Sequence, residues 1–389
     1  MINLVNSTNG LSPRWLPKGL RIWDLLIIVS SSAYLMPVNP FISNFAIWLW
    51  LVIECVGCKA AMEARRLLWP LAAILLLTSR GLWLHEMPHP FSSEDVVLFC
   101  ITVVVSSRLT SERFRAILLA LSLPLFLVVL QIGSKPWSPN PFIGSNQAGY
   151  LLGIIFIFSF LSFVFSSKGK PVSFCWLGLA LFSFVCIWQT NSRAALVSVV
   201  LSFLVLLLRK SRTAVDGLLK VTFAFSALVA VYILRLHFFA ISGVPGLKQA
   251  SDLGRLEIAK CYVKLPLKTL DRLLAGFGLN SNEVFCQQLI LGNPMDHAHS
   301  FLAQLWVFTG LFGVIGGFLL AWLVWRAWLL RRNRLCEFDK VFGQTALIYF
   351  ICQSLVDLSM IHWPLAISMT AICVSIPLQS PSRFGDIAD

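Results

Sequence analysis

The chain has 389 residues, of which 57% are apolar and only 13% charged, with 30 Phe, 14 Trp and a formal net charge of +13. A soluble protein carries roughly 25% charged residues to wet its surface. This composition, with a mean hydropathy of +0.79, therefore excludes a soluble enzyme, a disordered chain and a secreted disulfide scaffold, and reads as an all-α polytopic membrane protein.

The first 22 residues are polar and weakly basic, and no small-x-small site closes the first apolar run. That run reads as a retained helix and not a cleaved signal peptide. Twelve apolar runs follow in chain order, near 23–38, 41–58, 67–83, 94–107, 115–132, 146–166, 172–189, 193–208, 216–239, 300–327, 341–357 and 361–378. Several are shorter than the roughly 20 residues an upright helix needs, so their ends are expected to run into flanking residues. With the N-terminus in the cytoplasm, 21 of the 31 Lys and Arg fall inside and 10 outside, mostly in short inner loops, as the positive-inside bias requires. The positive charge is thus mainly a topology signal and not a nucleic-acid patch. Both termini are expected in the cytoplasm, and residues 1–389 are expected to form a single membrane domain.

Most outer connections are tight, but residues 240–299 form one long loop, and a loop of that length is usually functional. Its segment SDLGRLEIAKCYVKL reads as an amphipathic helix capped by Ser251 or Asp252 and ended by Pro266. Lys260, Lys264, Lys268 and Arg272 recur every fourth residue. They form either a solvated face or an anion-binding rim where phosphate-bearing lipids sit.

Four residues carry polar groups at the expected outer edge of the membrane. Arg193 opens the eighth span, the wrong helix end for a cation, so it is either a snorkelling interfacial side chain or paired with an anion. Arg255 lies in the loop helix, where a plain surface charge is the simpler reading. His299 begins the tenth span beside His297 and Asp296; it is either an interfacial tip or a proton-transfer group. An H-x-H pair can bind metal, but no third ligand is evident, and no metal or other cofactor is expected. Asp357, near the outer end of the eleventh span, either ties helices together through an arginine or His362 or serves a site. Of the ten cysteines, Cys261 and Cys286 share the outer loop, either as free thiols or, in an oxidising compartment, as a disulfide. No phosphate-binding GxxxxGKS loop, zinc signature or GxSxG elbow occurs.

In order along the chain these features are PNPFIGSNQAGYLLG, NSRAALV, GRLEIAK, LAGFGLNSN, HSFLAQLWVFTGLFG and SLVDLSM. Together they resemble the O-antigen ligase and polymerase family of bacterial membrane glycosyltransferases, over roughly residues 140–365. The most specific piece is His299 followed, eleven residues on, by Gly310-x-x-Gly313. Family members commonly carry His-Asn where this chain has His299-Ser300, so a hydroxyl stands here in place of the amide. The resemblance implies a periplasmic cavity in which Arg193, Arg255 and His299 match functional positions, with Arg235 a looser match. Asn146, His297 and Asp357 would support them.

The resemblance also implies the reaction. A glycan would pass from an undecaprenyl diphosphate carrier in the bacterial inner membrane to an acceptor hydroxyl on the periplasmic face. Guanidinium groups would stabilise the leaving diphosphate and His299 would act as base, with inversion and without metal. The partners are then a lipid-linked glycan donor, a lipid A core or second lipid-linked glycan as acceptor, and membrane lipids. Ligation onto lipid A core and polymerisation share the donor. A third reading, transport of inorganic carbon, has been proposed for some relatives, but a transporter gathers ionisable groups near the bilayer midplane, whereas here they collect at the outer boundary.

Overall fold

The computed structural model describes residues 21–35, 39–57, 93–106, 109–125, 145–166, 171–190, 192–209, 260–277, 300–331, 335–357 and 363–376. Among these every regular element is helical and no strand occurs. We number the helices α1 (Leu25–Leu35), α2 (Pro40–Gly57), α3 (Ser93–Ser106), α4 (Ser111–Ser122), α5 (Ser145–Phe165), α6 (Pro171–Gln189), α7 (Arg193–Arg209), α8 (Leu270–Ala275), α9 (Phe301–Arg331), α10 (Glu337–Val356) and α11 (Pro364–Val374). The protein is an all-α membrane protein. Asn146–Phe165, Pro171–Gln189 and Phe301–Leu319 are long and apolar enough to cross a bilayer, and shorter apolar helices include Phe41–Cys55 and Arg193–Leu204. The expected spans near 67–83 and 216–239 lie outside the described residues, as do Arg235, Arg255, His297 and His299.

Three boundaries differ from the sequence reading, each for a local reason. α10 begins at Glu337, ahead of the expected Val341, because Glu337 and Asp339 suit the positive end of a helix and the Cys336 side chain accepts the Asp339 N–H. The tenth span is not one straight rod: α9 runs to Arg331 and is broken at Gly310, with φ 56° and ψ −151°. The loop helix does not stop outright at Pro266. Residues 260–264 are α-helical, Leu265–Lys268 tighten into a 3-10 turn around the proline, and Thr269, whose side chain accepts the Arg272 N–H, restarts the chain as α8.

Packing sorts the helix ends into two groups. At the expected cytoplasmic end, Arg113 at the start of α4 donates from Nη2 to Asp24 Oδ1 at 3.0 Å and from Nη1 to Glu54 Oε2 at 2.9 Å. Trp50 Nε1 donates to Asp24 Oδ1 at 2.9 Å, and Trp23 Nε1 to Glu54. All three charged groups are buried. Ions taken out of water are tolerated only when their partners replace the lost hydration, so this triad pins the adjacent ends of α1, α2 and α4 together. Beside it Arg115 pairs with Asp339 at 3.2 Å and lies over the Phe338 ring, drawing in the start of α10. Further along, Ser30 Oγ donates to the Ser43 carbonyl at 2.9 Å, holding α1 against α2. α5 packs on α6 and α7, α7 on α10, and α3 on α11, around an aromatic core that includes Phe114, Phe158, Phe338 and Phe342.

Candidate functional site

Toward the opposite ends of the helices the described site residues fall in two contacting pairs of elements, α5 with α7 and α9 with α10. Asn146 sits half-buried in the first turn of α5. One turn on, Gly149 lies against the start of α7: a Cβ there would stand 2.7 Å from Ser192 Oγ and 3.2 Å from Ala195 Cβ. The missing side chain at Gly149 therefore sets how closely the beginnings of α5 and α7 approach. Ser192 is the N-cap of α7, its Oγ accepting from the Ala195 N–H at 3.4 Å, while Thr190 turns back to donate to the Ile187 carbonyl at 2.8 Å. Arg193, half-buried, is the first residue of α7. A guanidinium there adds to the positive end of the helix dipole, and the combination favours an anion. Asn191 lies outside the described residues.

Asp357 closes the other side. It is the C-cap of α10, with its N–H bonded to the Gln353 carbonyl at 2.8 Å, and it is buried. Ser300 ties the start of α9 to the same helix end: its Oγ donates to the Ser354 carbonyl at 3.2 Å and accepts from the Ala303 N–H at 3.4 Å. Serine and asparagine are both good N-caps, so Ser300 performs the capping that an asparagine would perform there. His299 itself lies outside the described residues, but its neighbour is fixed to α10 within one turn of Asp357.

The loop helix docks on α9 through two glycines. Gly276 has φ 67° and ψ −162°, and Gly310 has φ 56° and ψ −151°, both in a region that side-chain-bearing residues avoid. They face each other: a Cβ on Gly310 would lie 2.6 Å from the Gly276 nitrogen and 2.7 Å from the Leu273 carbonyl oxygen. A Cβ on Gly276 would collide with the Phe308 carbonyl and stand 2.6 Å from the Thr309 nitrogen. The Phe277 N–H donates to the Val307 carbonyl at 2.9 Å, and Trp306 Nε1 to the Val263 carbonyl at 2.9 Å. This clasp gives a physical reason for the glycines in LAGFG and FTGLFG. Lys260, Lys264 and Lys268 are exposed together with Val263, Leu267 and Leu270, a mixed basic and apolar face suited to a lipid headgroup region. Arg272 instead lies over the Phe277 ring at 4.4 Å. Cys261 is disulfide-bonded, and Cys286 lies outside the described residues. Among the described residues no group of three His, Cys, Asp or Glu is placed to hold a metal.

Sequence reasoning missed a buried polar cluster behind Asp357. Tyr150 of α5 and Tyr349 of α10 stack with ring centroids 5.7 Å apart. The Tyr349 hydroxyl donates to the Tyr150 carbonyl at 3.0 Å and accepts from Gln353 Nε2 at 3.2 Å. The Tyr150 hydroxyl meets Thr370 of α11. Tyr34, at the end of α1, lies within electrostatic range of Asp357, Tyr349 and Tyr150. A signal existed: the chain has only 5 Tyr against 30 Phe, so each tyrosine marks a place where a hydroxyl was kept in an otherwise apolar lattice.

Residues 177–319 match the family model described as O-antigen ligase. The match runs from within α6, across Arg193, Arg235, Arg255, His297 and His299, to α9, and leaves Asn146 and Asp357 outside it. No curated protein matches the chain.

Proposed function

We propose that this chain, whose residues 177–319 match the O-antigen ligase family model, is a membrane glycosyltransferase of the ligase or polymerase type and joins a preassembled glycan to the lipid A core. The donor is glycan on undecaprenyl diphosphate, and the transfer takes place on the periplasmic face of the inner membrane. Arg193 and Arg255, with Arg235 behind them, hold the diphosphate. Its oxygens gain charge as the bond to the anomeric carbon breaks, and planar guanidinium groups bind two of them at once while staying ionised. His299 takes the proton from the attacking acceptor hydroxyl, with His297 beside it. Asp357 and Asn146 orient groups at the rim. One base and a good leaving group give inversion in a single displacement. The carrier supplies the energy, so the chemistry calls for neither nucleotide nor metal.

This reading is supported by three contacts near the helix ends: Gly149, one turn after Asn146, packs against Ser192 beside Arg193, Ser300 bonds to Ser354 one turn before Asp357, and Tyr349 of α10 bonds to Tyr150 of α5. The test is the glycan profile of a deletion strain. Loss of long glycan from lipid A, with polymer retained on the carrier, is the expected result. A single repeat joined to core would instead identify a polymerase, and an unchanged profile would sink both readings.

A further inference from the structure

Residues 260–270 present a face that the bundle leaves uncovered. Lys260, Val263, Lys264, Leu267 and Lys268 are all exposed, at positions i, i+3, i+4, i+7 and i+8, the spacing of one side of a helix. Tyr262, Leu265 and Pro266 between them are buried. The inner side of the segment is therefore satisfied by the protein, while the outer side mixes three ammonium groups with branched apolar chains. Leu270 extends the apolar part and is 71% exposed, with Leu267 at 60%. Water is a poor neighbour for such side chains. The cations are equally unanswered: among the described residues Lys260, Lys264 and Lys268 have no ion-pair or hydrogen-bond partner. Arg272 differs, lying over the Phe277 ring, and Asp271 is the one acid between positions 260 and 277.

The docking of the segment fixes its depth in the bilayer. Trp306 Nε1 donates to the Val263 carbonyl at 2.9 Å, and the Phe277 N–H donates to the Val307 carbonyl. Both partners lie in the second turn of α9, whose first 19 residues, Phe301–Leu319, are long and apolar enough to cross the membrane. At a rise of 1.5 Å per residue, Trp306 and Val307 stand about 8–9 Å from the start of that span. An interfacial helix sinks its apolar side to a similar depth, with headgroup phosphates above it and acyl chains below. A lysine there rests its methylene stem on lipid while its ammonium reaches the phosphates. All five outward residues then have a partner.

We propose that residues 260–270 form an in-plane anchor whose outward face binds anionic phospholipids of the leaflet bordering the start of α9, and that this contact holds the loop on the bundle. The proposal needs only the membrane assignment and not the glycan-transfer reading. A lipid surface fits better than a second copy of the chain, because three unpaired cations on one narrow face match a sheet of phosphates and would repel the same face of another molecule.

The test uses the full-length protein in vesicles of phosphatidylcholine, alone or with about one-third phosphatidylglycerol. Hydrogen exchange of residues 260–277 is the local readout, and spin-labelled phosphatidylglycerol measures lipid binding directly. A lysine near an anionic surface is worth about fivefold, so anionic vesicles should slow exchange at residues 260–264 by on the order of a hundredfold. Lys264→Gln should cut that protection about fivefold. Lys260→Gln, Lys264→Gln and Lys268→Gln together should abolish it and reduce the labelled phosphatidylglycerol bound, as should high salt. Arginine at the same three positions keeps the charge and should retain both effects. In neutral detergent the triple glutamine variant should melt with the parent, since its lysines bond to nothing in the protein. Equal exchange of the parent in both vesicles would overturn the proposal, as would a triple glutamine variant with parental protection and lipid binding. Protection that grows with protein density in phosphatidylcholine alone would assign the face to a second copy. Protection by inorganic phosphate in neutral vesicles would assign it to a free anion, and protection by undecaprenyl diphosphate but not phosphatidylglycerol would assign it to the donor. Each of these three results would also overturn the anchor.

Discussion

Gly310→Ala is expected to loosen the loop helix from α9 and lower the stability of the protein by about 2–6 kcal/mol. The figure has two parts. With φ 56° and ψ −151°, the backbone sits where a residue with a Cβ costs roughly 1–3 kcal/mol. The new methyl would also lie 2.6 Å from the Gly276 nitrogen, 2.7 Å from the Leu273 oxygen and 2.9 Å from the Leu274 carbonyl carbon. These are backbone atoms that cannot rotate away, so α8 must shift, and overpacking of this kind costs about 1–3 kcal/mol. Gly276→Ala should behave alike, since its Cβ would meet the backbone of Phe308 and Thr309. Gly178, inside α6 with nothing within 4 Å of a Cβ, is the control: alanine there should be neutral or stabilising by up to about 1 kcal/mol, because glycine is the poorer helix former. The assay is thermal unfolding of the three purified variants in detergent, with proteolytic cleavage of the loop as a local readout. Drops of about 5–10 °C for Gly310→Ala and Gly276→Ala, with faster cleavage, are expected. If either matches Gly178→Ala in both readouts, the clasp does not hold the loop and the reasoning is wrong.

Other perturbations follow from the same geometry. Arg113→Leu leaves Asp24 and Glu54 buried without their cation and should destabilise by about 3–5 kcal/mol in thermal unfolding; a change below about 1 kcal/mol would contradict the triad's role. Gly149→Ala should cut transfer by separating α5 from α7, and Ser192→Gly, which makes room while still capping the helix, should restore much of it in the double variant. Arg193→Lys keeps the charge but loses the planar fork, so the donor KM should rise about tenfold while acceptor KM holds; equal donor affinity would remove Arg193 from diphosphate binding.

The parts of the site that the sequence made legible are those where a polar residue breaks an apolar run. Arg193 at the start of α7 and Asp357 at the end of α10 stand out because a charge beside an apolar run has to be accommodated by snorkelling, by a partner or by a site. The helical class was equally open, since apolar runs of this length in lipid leave the backbone few alternatives. The Gly276–Gly310 clasp was not readable. A glycine within an apolar run looks the same whether it packs closely, bends the helix or does neither, and its partner lies in another element. The triad of Asp24, Glu54 and Arg113 was only partly visible: each charge interrupts or borders an apolar run, but their meeting is a matter of helix packing. The start of α10 was misjudged because Glu337, Asp339 and Lys340 look like loop when only hydropathy is followed. Their charges are accommodated by the helix dipole, by Arg115 and by a Lys340–Glu337 pair.

The central claim is that a histidine base and arginine-held diphosphate carry out glycan transfer at the end of the bundle where α5, α7, α9 and α10 meet. It is tested most directly by the purified full-length chain and its His299→Ala variant in liposomes, given undecaprenyl-diphosphate glycan and rough lipopolysaccharide. The account predicts release of undecaprenyl diphosphate matched one-for-one by glycan on lipid A core with inverted anomeric configuration, and loss of both products in the variant. Parental turnover by a well-folded His299→Ala protein, or retention of configuration, would contradict it.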